Sequence, residues 1–136
     1  MNTDRMRTIK AVRAKEGVDL HLVWSNGTET TITLEPSVRA ALGDARVGDW
    51  GHCVVWSNGT EWGADGLWLQ SLSAIGRDDA RQFLEWRQRN ALSLSKSAEA
   101  LGLARRTVAY YSNGERPVPK AILLACTGWE VGRQLQ

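Results

Sequence analysis

Two hydrophobic rhythms divide this chain. Over residues 19–34, DLHLVWSNGTETTITL, the alternating positions are Leu20, Leu22 and Trp24 before Asn26-Gly27, and Thr28, Thr30, Ile32 and Leu34 after it. A period of two around Asn-Gly predicts a β-hairpin, because both turn residues tolerate the positive φ of a type I′ turn. Residues 52–62, HCVVWSNGTEW, repeat the pattern around Asn58-Gly59. From residue 78 onward the period becomes helical. Phe83 and Trp86 recur at helical spacing beside Leu84, in a helix expected to run to Asn90 with Asp78 or Asp79 as its N-cap. Three further helices are expected over 94–101, 104–112 and 118–126. Ser93 is the N-cap of the first, Asn113-Gly114 breaks the second, and Pro117 and Pro119 introduce the third.

The remaining segments are shorter. Residues 6–13, with Ile9 and Val12, fit an edge strand; Pro36 opens a helix over 36–42 that Gly43 ends; a loop follows through Gly48 and Gly51. Residues 67–75, LWLQSLSAI, read as one or two helical turns, starting near Asp65 or Gly66 and stopped by Gly76. Trp129, after Gly128, is expected to pack back on the protein. The fold class is therefore α+β. Residues 1–76 form a hairpin-rich β domain with short helices, and residues 77–136 form an all-helical domain after a short linker.

The heptapeptide VWSNGTE at 23–29 recurs unchanged at 55–61. The flanking sequences do not match, which favours two hairpins reaching the same turn chemistry over an internal duplication. Asn26 and Asn58 satisfy the N-glycosylation pattern, but without a secretory signal that match carries no meaning. Five of the seven tryptophans, Trp24, Trp50, Trp56, Trp62 and Trp68, lie in the first half, which must bury them, expose them at an interface, or both.

Composition places the 136 residues among folded soluble domains, at 43% hydrophobic and 24% charged. No apolar run long enough for a membrane span and no signal-peptide core appear, so the expected location is the cytoplasm. The net charge of +2 is unevenly distributed: seven basic against nine acidic residues up to Gly76, then ten basic against six from Arg77. A net +4 on the helical part suits a module that touches phosphates.

Candidate chemistry is sparse. Cys53 and Cys126 stand apart without a CxxC or histidine cluster, so no metal site, disulfide or cofactor is expected. His52 and Cys53 are adjacent, but neighbours on a strand point to opposite faces and a catalytic dyad would need a bulge. His21 is a lone residue on a hairpin strand, Asp65 reads as a turn or helix cap, and no paired carboxylates or phosphate-cradling loop occur. The expectation is a protein that is not an enzyme.

Residues 92–119 carry the specific signal. On a helix over 104–112, Ala104, Val108 and Tyr111, with Leu103, fall on a core-facing side, while Arg106, Ala109, Tyr110 and Asn113 lie opposite with Arg105 at the edge. Two short amphipathic helices joined at Gly102 outline a helix-turn-helix. The places Leu92-Ser93, Ala98, Leu101-Gly102-Leu103, Ala104-Arg105-Arg106-Thr107-Val108, Tyr111, Asn113-Gly114 and Arg116 resemble the lambda-repressor and Cro type of bacterial DNA-binding domain. Two positions depart from that pattern: Ser97 stands where an apolar residue is usual, and Leu94 where a backbone-contacting glutamine is frequent. Residues 1–76 are similar to a small bacterial β-rich domain of unknown function that is fused to such modules.

The resemblance implies a dimeric, sequence-specific transcriptional regulator that places residues 104–112 in the major groove of double-stranded DNA. Arg106, Ala109 and Tyr110 would contact bases, and Ser95, Lys96, Arg105, Asn113 and Arg116 the DNA backbone. The N-terminal domain is the expected place for dimerisation or partner binding. The rival expectation is a protein-interaction or antitoxin-like adaptor that keeps the helix-turn-helix as a scaffold; neither reading names an operator or an effector.

Overall fold

The computed structural model describes residues 7–14 and 18–135. They form an α+β protein of two compact units, one ending at Ile75 and the other starting at Gly76.

The first unit contains strands β1 (Ile9–Ala14), β2 (Asp19–Trp24) and β3 (Glu29–Thr33), then helix α1 (Pro36–Leu42). Strands β4 (Ala45–Val47), β5 (Cys53–Trp56) and β6 (Glu61–Gly63) and helix α2 (Ala64–Ala74) follow. The strands make two antiparallel three-stranded sheets in chain order. Alternation in β2 does what its pattern requires: Leu20, Leu22 and Trp24 are buried, and the residues between them are half-exposed. Inside this core Trp24 Nε1 donates to Thr30 Oγ1 at 2.9 Å, and Thr30 shares a 2.8 Å hydrogen bond with Ser71 of α2. The edge of Trp68 meets Trp24 at 5.0 Å.

Several expectations change here. Both hairpin turns are three-residue loops, not type I′ turns. Only Gly27 (φ 90°) and Gly59 (φ 95°) take positive φ, while Asn26 and Asn58 use their side-chain oxygens to accept from the N–H of Thr28 and Thr60. This is a type I turn closed by a left-handed glycine, the other common solution for hairpins. Strand β4 falls where a loop was expected; with three residues it is too short to show a period. Helix α2 begins at Ala64, earlier than expected, because its first turn carries Ala64, Asp65 and Gly66 rather than the apolar run. Strand β1 starts at Ile9, and Met6 lies outside the described residues.

The identical heptapeptides occupy equivalent positions. Val23 pairs with Glu29 and Val55 with Glu61. Each copy sits in a three-stranded sheet that is followed by a helix. The likeness thus extends beyond seven residues to the order of the elements around them.

The tryptophans divide. Trp24, Trp56 and Trp68 are buried, Trp62 is half-buried with its ring 5.1 Å from Trp56, and Trp50 is 88% exposed. Trp50 lies in a short 3-10 turn, Asp49–Gly51, with φ 60° and ψ 14°, a left-handed conformation that is costly for a bulky side chain.

The second unit is helical: α3 (Asp78–Arg89), α4 (Leu94–Leu101), α5 (Arg105–Ser112) and α6 (Lys120–Gln134). Phe83, Trp86, Leu94, Ala98, Val108, Val118 and Cys126 form its core. Helix α3 is capped at Arg77, not by an aspartate side chain. The largest departure is α6, which starts after Pro119 and continues to Gln134, whereas a stop was expected at Cys126. Gly128 and Gly132 are tolerated inside it because tertiary packing outweighs roughly 1 kcal/mol of propensity per glycine. Trp129 packs as expected, its ring edge-on to Trp86 at 5.5 Å.

Candidate nucleic-acid interface

Helices α4 and α5 are joined by a tight turn whose geometry follows from a few residues. Ser93 caps α4 by accepting from the Lys96 N–H at 3.0 Å. Gly102 ends the helix in the left-handed conformation (φ 69°), and the Leu103 N–H returns to the Ala98 carbonyl. Ala104 is the exposed N-cap of α5 rather than a core residue, so the buried side of α5 is Val108 and Ser112, with Tyr111 half-buried. Tyr111 meets Phe83 edge-on at 5.4 Å.

Ser97 is fully buried yet supplied with partners. Its hydroxyl donates to the Ser93 carbonyl at 2.7 Å and accepts from Arg87 Nε at 3.0 Å. Ser112 does the same on α5, donating to the Val108 carbonyl and accepting from Arg87 Nη1, both at 2.8 Å. A third nitrogen of Arg87 reaches the Leu92 carbonyl at 3.3 Å. One guanidinium from α3 thereby sets the spacing of α4 and α5. Ser97 does not weaken this core: a hydrogen-bonded network replaces the usual apolar contact.

The outward side of α5 carries Arg105 and Arg106, both exposed, at its N-terminal end. Arg106 makes no hydrogen bond or ion pair among the described residues, so its guanidinium is available. Ala109 is half-buried and packs partly on the core, which leaves a shallow point on this face. Tyr110 is half-buried, and the Arg116 guanidinium stacks 4.1 Å over its ring. Ser95 and Lys96 are exposed on the first turn of α4, and Asn113 is the half-buried C-cap of α5. Arg105, Arg106 and Tyr110 thus share one helix, and the stack draws Arg116 to Tyr110.

The loop that carries Arg116 is held by residues the sequence pattern did not single out. Arg77 donates to the carbonyls of Gly114 and Arg116, the latter at 2.8 Å, and pairs with Asp79. Asp79 accepts from the Val118 N–H at 2.7 Å. Partial burial would raise the Asp79 pKa, but hydrogen bonds from Arg77 and from the N–H groups of Val118 and Ala80 outweigh it and hold the carboxyl below its ordinary value. A carboxyl depressed on folding stabilises the folded state above its unfolded pKa of about 3.9 and loses that contribution as pH falls through the folded value. Acid unfolding of this unit is therefore expected to begin at higher pH in Asp79→Asn, which lacks the ionised clamp throughout; titration followed by circular dichroism checks this.

Elsewhere the chemistry stays sparse. His52 is exposed and caps the 3-10 turn, while Cys53 is the half-buried first residue of β5. The His21 ring lies between Thr31 Oγ1 (3.1 Å) and Glu29 Oε1 (2.9 Å). Asp65 is pushed up by burial against the opposing pull of His52. Among the described residues no group of histidine, cysteine and acidic side chains could hold a metal ion, and no helix is long and apolar enough to cross a membrane.

No family profile matches the chain, and neither does any curated protein. Among solved structures it is similar to that of NE0471 from Nitrosomonas europaea ATCC 19718, named as a candidate DNA-binding protein. The two share 31% identity over 98% of this chain and 92% of that one, with a TM-score of 0.61.

Proposed function

Because this chain belongs to the same family as the Nitrosomonas europaea protein, we propose that it binds double-stranded DNA. In this reading it is a dimeric, sequence-specific regulator of transcription whose α4–α5 pair acts as a helix-turn-helix of the lambda-repressor type. The observation that carries the reading is the outward face of α5: an unengaged Arg106 beside Arg105, a shallow point at Ala109, and the Tyr110–Arg116 stack, all on a helix fixed from behind by Val108 and the Arg87 network. In the major groove Arg106 makes a bidentate contact with a guanine edge in this reading, and Ala109 meets a thymine methyl. Ser95, Lys96, Arg105, Asn113 and Arg116 surround them as phosphate contacts that orient the module without reading sequence. The role proposed is binding, in the cytoplasm, without catalysis.

Selection of bound fragments from genomic DNA, followed by titration of the enriched site, tests the proposal. Arg106→Ala should weaken the selected site by about 10- to 100-fold and relax preference at one base pair. Arg105→Ala should weaken all sequences alike and make the salt dependence shallower by about one phosphate. No binding even at about 50 mM salt would sink the reading.

One observation favours a second reading, an interaction adaptor that keeps the helices as a scaffold. Trp50 stands 88% exposed on a strained backbone, a cost that a binding role would explain. The same titration separates the two, since an adaptor shows no enriched site and no effect of Arg106→Ala.

A further inference from the structure

The segment between α5 and α6, residues 113–119, has no helix or strand and contains Pro117 and Pro119, which lack an N–H. Its remaining backbone groups must find partners all the same. Two bonds are local: the Gly114 N–H returns to the Tyr111 carbonyl at 3.2 Å, and the Glu115 N–H to the Tyr110 carbonyl at 2.9 Å. The carbonyls of Gly114 and Arg116 and the N–H of Val118 instead meet side chains at the start of α3, those of Arg77 and Asp79.

Arg77 is fully engaged by these contacts. One edge of its guanidinium faces the Asp79 carboxylate, through Nε at 3.3 Å and Nη2 at 3.4 Å, while Nη1 and Nη2 hold the two carbonyls. Its charge is countered and its side chain is only 23% exposed, which makes it a poor phosphate contact in its own right. What it holds is the backbone of Arg116, whose exposed guanidinium stacks 4.1 Å over the Tyr110 ring. Arg116 is thereby fixed at both ends, at its carbonyl by Arg77 and at its tip by Tyr110.

We propose that Arg77 is a positioning residue for the nucleic-acid interface: by fixing the loop it presets Arg116 against Tyr110 for a phosphate contact, without touching the nucleic acid itself. A long cationic side chain that is ordered only on binding loses its rotamer freedom at that moment, whereas a preset one has lost it already in folding. The fork matters as well as the charge. A planar guanidinium can bridge two carbonyls and a carboxylate at once, and a lysine ammonium keeps the charge without that geometry. The contribution of Arg77 to binding rests on the DNA-binding reading; its hold on Arg116 does not.

A double-mutant cycle tests it, with dissociation constants for sheared genomic duplex DNA measured at about 50–200 mM salt. Arg77→Lys should weaken binding to all sequences by roughly 3- to 10-fold, the size of one side chain left to order on binding. In the Arg116→Ala background the same change should weaken it by less than about twofold, because the side chain that Arg77 presets is gone. In the free protein Arg77→Lys should also move the Arg116 Nε–Hε resonance out of the ring-current field of Tyr110, to where Tyr110→Leu moves it. If Arg77→Lys loses its circular dichroism, Arg77→Gln, which keeps a donor to the loop, takes its place with the same expectations. No weakening, or equal weakening in both backgrounds, overturns the proposal, since Arg77 then does not act through Arg116; so does an Arg116 resonance that stays in place. Absence of binding at about 50 mM salt refutes the DNA reading itself, while an unmoved resonance in a chain that binds DNA refutes only the positioning.

Discussion

Replacing Arg87 by alanine is expected to cost the helical unit about 2–4 kcal/mol, one of two large stability effects that single out how each unit is built. The guanidinium donates to the hydroxyls of Ser97 and Ser112 and to the Leu92 carbonyl. Each serine already donates its own proton to a carbonyl four residues back, so without Arg87 its lone pairs face the core with this donor gone. The loss falls where α3, α4 and α5 meet, so DNA affinity should drop with it. Denaturant unfolding followed by circular dichroism measures the effect, and a loss under about 0.5 kcal/mol, typical of ordinary surface changes, would contradict it. The triple change Arg87→Met, Ser97→Ala and Ser112→Ala should recover part of the stability, because the two serine hydroxyls leave together with the donor they share.

In the other unit, Gly51→Ala should destabilise by about 3 kcal/mol or more. Gly51 is buried at φ 74°, and a Cβ built there lies 2.5 Å from the Ile9 carbonyl oxygen and 3.1 Å from the Ile9 nitrogen. Both obstacles are backbone of β1 and cannot swing aside. Other glycines grade the argument. Gly27→Ala and Gly59→Ala meet open space but keep positive φ, so each should cost only about 1–2 kcal/mol. Gly66→Ala, in open space inside α2, should stabilise by roughly 0.5–1 kcal/mol. Equal effects at Gly51 and Gly27 would show that backbone conformation, not the close approach of β1, governs the site. This site also bears on Trp50: the chain reaches buried Gly51 through a turn that leaves the tryptophan outside.

Much of the architecture was legible because its causes are local. The period of two in β2, the Asn-Gly turns, Pro36 opening α1 and Ser93 capping α4 act within a few residues, and the elements appear where those signals stand. The candidate residues Arg105, Arg106, Ala109 and Tyr110 were named from helical spacing, and Arg116 from the resemblance. What supports them was not legible. The polar residue at Ser97 was a visible departure, but nothing near it in sequence points to Arg87 ten residues earlier as its donor, or to Ser112 fifteen later as the other hydroxyl that Arg87 holds. Likewise the clamp from Arg77 and Asp79 onto the loop at 114–118 joins residues nearly forty positions apart.

By itself the sequence determined the α+β class, the two hairpins, the paired short helices and the face of α5 that carries the arginines, since periodicity and turn chemistry are properties of neighbouring residues. Only the tertiary structure decided that Ser97 is satisfied rather than a flaw, that the two VWSNGTE segments belong to equivalent sheets, and that α6 runs through Gly128 and Gly132 to Gln134. The physical reason is the same throughout: burial and long-range hydrogen bonds are set by which distant elements meet, and they outweigh the local preferences of about 1 kcal/mol per residue that a sequence displays.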